Sequence, residues 1–115
     1  MKVVNINTSE LKDRKSFHAY FKETFGFPDF YGNNMDAWID CMGYLDNQNT
    51  GMTSKVFVTK NDYVVLELLD INDFINRAPE LYGALTECAA FVNFRRIQSG
   101  ENPLIVISFF RHKNS

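Results

Sequence analysis

The sequence predicts an α/β fold in which helices pack over a small parallel sheet. Three observations predict it. Short runs rich in β-branched residues at positions 2–6, 63–69 and 104–107 are separated by long stretches with helical spacing. The resulting order of strand, helix, helix, strand, helix, helix, strand gives each pair of successive strands the long crossover that parallel pairing requires. The middle run, with Val64, Val65, Leu66, Leu68 and Leu69, is almost continuously apolar, the pattern of a central strand covered on both faces. A length of 115 residues is close to the usual size of one domain, so a single domain over 1–115 is expected.

Each element has a local reason. Positions 2–6 are short and β-branched, and Asn7, Thr8 and Ser9 then supply turn and capping residues. Over 11–25 the residues Leu11, Phe17, Tyr20, Phe21 and Phe25 lie near helical spacing, and Gly26 closes that helix. Positions 27–33 hold Pro28 and Gly32 and so form a loop, yet they also carry Phe27, Phe30 and Tyr31, more aromatic surface than a solvent-facing loop normally bears. Asn33 or Asn34 caps a second helix to about Leu45, with Met35, Trp38, Met42 and Leu45 as its buried stripe and Asp36 and Asp40 opposite. The polar stretch 46–60 is a connection in which 55–58 offers a short edge strand. Within the central strand Glu67 needs a polar partner or an outlet to solvent. Asp70 or Asn72 caps a short helix to Asn76, Pro79 opens a longer one to about Ser99, and Gly100 ends it. After the last strand, 111–115 reads as a polar, basic tail expected to fray.

Composition excludes several classes of function. Twelve basic against fourteen acidic residues, a formal charge of -2, argue against a generally basic nucleic-acid-binding surface. Cys41 and Cys88 are too few for a disulfide framework and lack zinc-type spacing, which fits a reducing cytoplasm. No leader-like or membrane-spanning apolar stretch is present, so a cytoplasmic protein is expected. His18 and His112 are isolated from other ligand types, and no metal or other cofactor is implied.

The chemistry-bearing residues cluster around the second helix. Asp36 and Asp40 stand four apart and therefore one turn apart on one helix face, where they repel modestly. A solvated helix face would explain them. An anionic surface for a basic partner explains them together with their neighbours Phe30, Tyr31, Asn34, Ile39, Gly43 and Tyr44, because aromatic anchors around charges are typical of tight protein interfaces. A glycosidase carboxylate pair would come from two elements flanking a cleft, so the same acids do not suit one. Cys41 follows the buried stripe and reads as a core residue rather than a nucleophile, and no catalytic residue is assigned. Phe94, Arg95 and Arg96 could contact phosphate, which leaves an RNA-associated or regulatory binding module as the alternative function. Two arginines late in a helix are also favoured there by the helix dipole.

The run Phe27-Pro28-Asp29-Phe30-Tyr31-Gly32-Asn33-Asn34-Met35-Asp36-Ala37-Trp38-Ile39-Asp40 resembles the signature of the barstar family, intracellular inhibitors of secreted microbial ribonucleases such as barnase. The resemblance implies a barstar-like three-stranded parallel sheet flanked by helices. It also implies an inhibitor rather than an enzyme, whose acids stand in for RNA phosphates before the nuclease's catalytic Arg, Lys and His. It places Phe30, Gly32, Asn34, Met35, Asp36, Ala37, Ile39, Asp40, Gly43 and Tyr44 at the interface, and the reading of the residues adds Tyr31. Ile39 stands where a family member has Trp, Phe30 where it has Tyr, and the stretch from Val92 to Arg96 where it has an acid. The implied partner is thus a basic extracellular or toxin-domain ribonuclease other than barnase, bound by a monomer acting as an immunity protein.

Overall fold

The structure, a computed structural model, describes residues 1–111. Three strands, β1 (Lys2–Ile6), β2 (Val64–Leu68) and β3 (Ile105–Ser108), form a parallel sheet in the order β1-β2-β3. Four helices carry the crossovers: α1 (Arg14–Phe25) and α2 (Met35–Met42) between the first two strands, α3 (Ile71–Arg77) and α4 (Pro79–Gln98) between the last two. Val4 aligns with Leu66, and Leu66 with Ile107, so one face of the sheet presents Val4, Ile6, Val64, Leu66, Leu68, Ile105 and Ile107 to the helices. The opposite face aligns Val3, Val65 and Val106, and Val3 and Val106 are exposed. Val65 on this second face is nonetheless buried, so β2, as a central strand, is covered there as well, with only Glu67 half-buried. Glu67 lies on the second face between Asn5 and Ser108 and is half-buried, which gives its carboxylate the outlet it needs.

Two boundaries move for local reasons. Residues 8–10 make a 3-10 turn, and α1 starts at Arg14 instead of Leu11 because Asp13 caps it. The Ser16 backbone N–H donates to Asp13 Oδ1 at 2.8 Å, and the Asp13 N–H donates to Ser16 Oγ at 3.0 Å, a reciprocal box that defines the start. The end of α2 comes at Met42, and a series of turns then carries the chain through Leu45, still fully buried. No edge strand forms at 55–58: the N–H of Lys55 donates to the Phe25 carbonyl and that of Val58 to the Leu45 carbonyl, so this segment fastens the ends of α1 and α2. Of the expected polar tail, residues 112–115 lie outside the described residues.

Gly26 ends α1 in the left-handed conformation (φ 73°), and its N–H donates to the Lys22 carbonyl. A Cβ here would collide with Ser54 Oγ and stand 2.8 Å from the Lys55 backbone nitrogen. Backbone strain and crowding then act together, so Gly26→Ala should destabilise by about 1–3 kcal/mol. An unchanged urea midpoint would show that the 51–56 segment can simply move away.

Candidate functional site

The loop before α2 divides its aromatic rings between the core and the solvent. Phe27 and Tyr31 turn inward, their ring centroids 4.7 Å apart, while Phe30 is 78% exposed. The Tyr31 hydroxyl lies 2.6 Å from His18 Nδ1 on α1, and the Tyr31 backbone N–H donates to the Pro28 carbonyl. These contacts close the loop on itself and leave Phe30 at its crest. Tyr31, expected at the interface, is only 5% exposed. That expectation is corrected: Tyr31 positions the loop and does not present a surface.

Burial, and secondarily the Arg14 charge, lowers the His18 pKa below its ordinary 6.5. Burial, with a smaller effect of Cys41, raises that of the Tyr31 hydroxyl. Because the folded imidazole binds its proton less readily than the unfolded one, the unfolded chain holds more protons as pH falls from 6.5 to the lowered value. Stability should therefore decline with acidification across that window, before the carboxylates of Asp13, Glu23, Asp62 and Glu101, all lowered, begin to protonate. His18→Asn keeps a polar δ atom that can donate or accept opposite the Tyr31 hydroxyl but does not titrate. Thermal melts between pH 8 and 5 should show a flatter dependence for this variant; the same slope in both proteins would remove His18 as the cause.

Asn34 begins α2 by accepting the Ala37 backbone N–H on its Oδ1 at 2.8 Å. Trp38, Cys41 and Met42 then turn into the core, where the Trp38 ring packs edge-on against Phe21 at 5.6 Å. This seating directs Asp36 and Asp40 outward, and both are exposed. Gly32, Asn34 and Tyr44 are exposed with them, while Met35, Ala37, Ile39 and Gly43 are half-buried along the same surface. Among the described residues neither acid belongs to an ion pair. The spacing thus brings together two exposed acids with apolar and aromatic neighbours, neither acid tied up in an ion pair among the described residues.

Helix α4 packs beside α2, and a cleft of about 200 Å³ runs between Ile39, Asp40, Gly43 and Tyr44 on one side and Val92, Arg95, Arg96 and Ser99 on the other. Arg96 is 9% exposed and clamps Asp46 through two hydrogen bonds of 3.1 and 2.7 Å, and its Nε donates to the Asn102 carbonyl. The helix-dipole account of Arg96 is incomplete, and its place in an RNA-contacting triplet is corrected, because its donors are already engaged inside the protein. Phe94 is exposed and stacks with Phe91 at 6.2 Å, and the Arg95 guanidinium lies 5.8 Å from the Phe91 ring centre. Sequence reasoning missed the Arg96–Asp46 and His18–Tyr31 contacts, since no periodic signal links residues 50 or 13 positions apart in different elements.

The geometry also bears on nucleophilic chemistry. Cys41 is 2% exposed, and burial, reinforced by the Asp40 charge, pushes its thiol up to about 11, so little thiolate exists at neutral pH. Among the described residues no helix is long and apolar enough to cross a membrane.

Comparison with known proteins identifies the family. The family described as "Barstar (barnase inhibitor)" matches residues 1–107. A Bacillus subtilis (strain 168) protein named "Putative ribonuclease inhibitor YrdF" is 30% identical over 81 residues, which is 70% of this chain and 88% of that protein. With the match running from β1 into β3 and spanning the loop, α2 and α4, the chain belongs to the Barstar family, whose members inhibit ribonucleases rather than act as enzymes.

Proposed function

We propose that this protein is an immunity protein that inhibits a basic ribonuclease by covering its active site with the surface formed by Phe30, Gly32, Asn34, α2 and Tyr44. The observation that carries the reading is the pair of exposed carboxylates of Asp36 and Asp40, in no ion pair among the described residues and one turn apart on the helix that follows the loop exposing Phe30. Their charges take the place of RNA phosphates before the nuclease's cations, and Phe30 supplies the flat apolar contact. Occlusion needs neither cofactor nor turnover. A secreted nuclease or the toxin domain of a toxin and immunity pair fits such a surface, because the producing cell must neutralise it in the cytoplasm. The inhibitor acts as a monomer before it meets its target.

Two measurements test this. Immobilised wild-type protein should retain a basic ribonuclease from the native cells, and an Asp36→Ala, Asp40→Ala double variant should not. Free protein should then inhibit the captured enzyme competitively with RNA. Inhibition that rising RNA concentration still fails to relieve once binding has reached equilibrium would place the contact outside the active site and end the occlusion reading. The RNA-binding alternative has lost Arg96 to Asp46, and it would require salt-dependent RNA binding that survives in the double variant.

A further inference from the structure

The cleft between α2 and α4 is not uniformly anionic. Three charged side chains besides Asp40 line it, and their pairing differs. Arg96 is neutralised by Asp46, and Glu101 by Lys60 at 2.6 Å with Arg96 at 3.7 Å. Arg95 lines the same cleft, is exposed, and among the described residues belongs to no ion pair. Its contact with Phe91, one turn back along α4, orients the side chain without cancelling its charge. Two charges of opposite sign, neither in an ion pair among the described residues, thus face one cleft from different helices, Asp40 from α2 and Arg95 from α4.

We infer that Arg95 is a specificity-determining residue and that the partner presents a carboxylate to it beside the cation it presents to Asp40. The inference rests on the proposed use of the α2 face and specifies the chemistry of what binds there. When a partner covers the cleft, both charges lose water together. A cation brought to Asp40 then also approaches Arg95, and the closer the seal, the less the solvent screens their repulsion. A carboxylate opposite Arg95 removes that repulsion and forms a charge-assisted pair. A nuclease with only cations in this region meets a repulsive element instead, which is how an interface rejects a near relative of its proper target.

Barnase serves as the probe, because the family to which this chain belongs is defined by its inhibition. Titration calorimetry would compare the wild type with Arg95→Ala, Arg95→Glu and Asp40→Ala. Arg95→Ala should bind barnase more tightly than the wild type, Arg95→Glu at least tenfold more tightly, and Asp40→Ala more weakly. A panel of barnase variants, each with one active-site-proximal Arg or Lys changed to Glu, should contain a member that reverses the order and prefers the wild type over Arg95→Glu. If neither Arg95 variant improves binding, or if no barnase variant reverses the preference, the assignment to Arg95 is overturned. Absence of binding by every protein, Arg95→Glu included, overturns it equally, since removing the repulsive charge would then have restored nothing. Asp40→Ala separates the two levels: weaker binding by this variant with both Arg95 variants unchanged from the wild type leaves the α2 face as the recognition surface and dismisses Arg95, whereas binding that ignores Asp40 defeats the proposed function itself.

Discussion

Replacing Asp36 or Asp40 with Ala should cost about 2–5 kcal/mol of affinity for the target ribonuclease while leaving the fold almost as stable as before. The barnase and barstar pair is itself among the complexes on which that range was measured, and the range is the general cost of truncating one partner of a buried charge pair. The asymmetry between binding and folding follows from solvent. In the free protein both carboxylates are exposed and unpaired, and water screens them well. In the proposed complex they would be dry, and truncating either would leave a cation buried without its partner. The two acids should differ slightly in stability. Asp36 lies in the first turn of α2 and gains from the helix dipole, so its loss costs a few tenths of a kcal/mol. Removing either acid also relieves their mutual repulsion of about 0.2–0.5 kcal/mol, which offsets the dipole loss in Asp36→Ala and leaves Asp40→Ala, with no dipole benefit to lose, slightly stabilising. Urea unfolding beside an inhibition titration checks both halves. A double variant that inhibits at wild-type strength would refute the charge-mimic mechanism. The association rate should also fall with added salt, more steeply for the wild type than for the double variant.

The parts of the fold and site legible in the sequence are those governed by local chemistry. Strand positions follow from β-branched runs, Gly26 from the need for a left-handed residue at the end of α1, and the outward direction of Asp36 and Asp40 from the helical spacing of Trp38 and Met42. Where expectation and structure part, a long-range contact decides. The 55–58 segment has strand-like residues but spends its backbone N–H groups on the carbonyls of Phe25 and Leu45. Tyr31 shares a loop and a residue class with Phe30, yet one is buried and the other exposed, because only Tyr31 meets His18 and Phe27. Arg95 and Arg96 are identical and adjacent. A helix turns by 100° per residue, so Arg96 points at Asp46 while Arg95 stays in the open cleft.

That divergence between neighbouring arginines yields the second large effect. Arg96→Ala should destabilise the protein by about 3–5 kcal/mol, because it strands the Asp46 carboxylate in a site where its side chain is 3% exposed. Lys60 Nζ, 3.9 Å from Asp46 and already bonded to Glu101, is too distant and too exposed to replace the bidentate guanidinium. Arg96→Lys should recover only part of the loss, since a single ammonium cannot bond both carboxylate oxygens and the Asn102 carbonyl in the same geometry. Arg95→Ala is the internal control and should shift stability by no more than about 0.5 kcal/mol. The pair also fastens the turn after α2 to the last turns of α4, so its loss should loosen the cleft and weaken nuclease binding without removing a contact residue. A double-mutant cycle with Asp46→Ala separates these effects: Arg96→Ala, Asp46→Ala together should cost clearly less than the sum of the single changes, because no buried charge is left alone. Strict additivity, or equal losses for Arg95→Ala and Arg96→Ala, would mean that the clamp does not hold α4 to α2. A loss of RNA affinity on Arg96→Ala, with the fold intact, would return that arginine to the surface role its position first suggested.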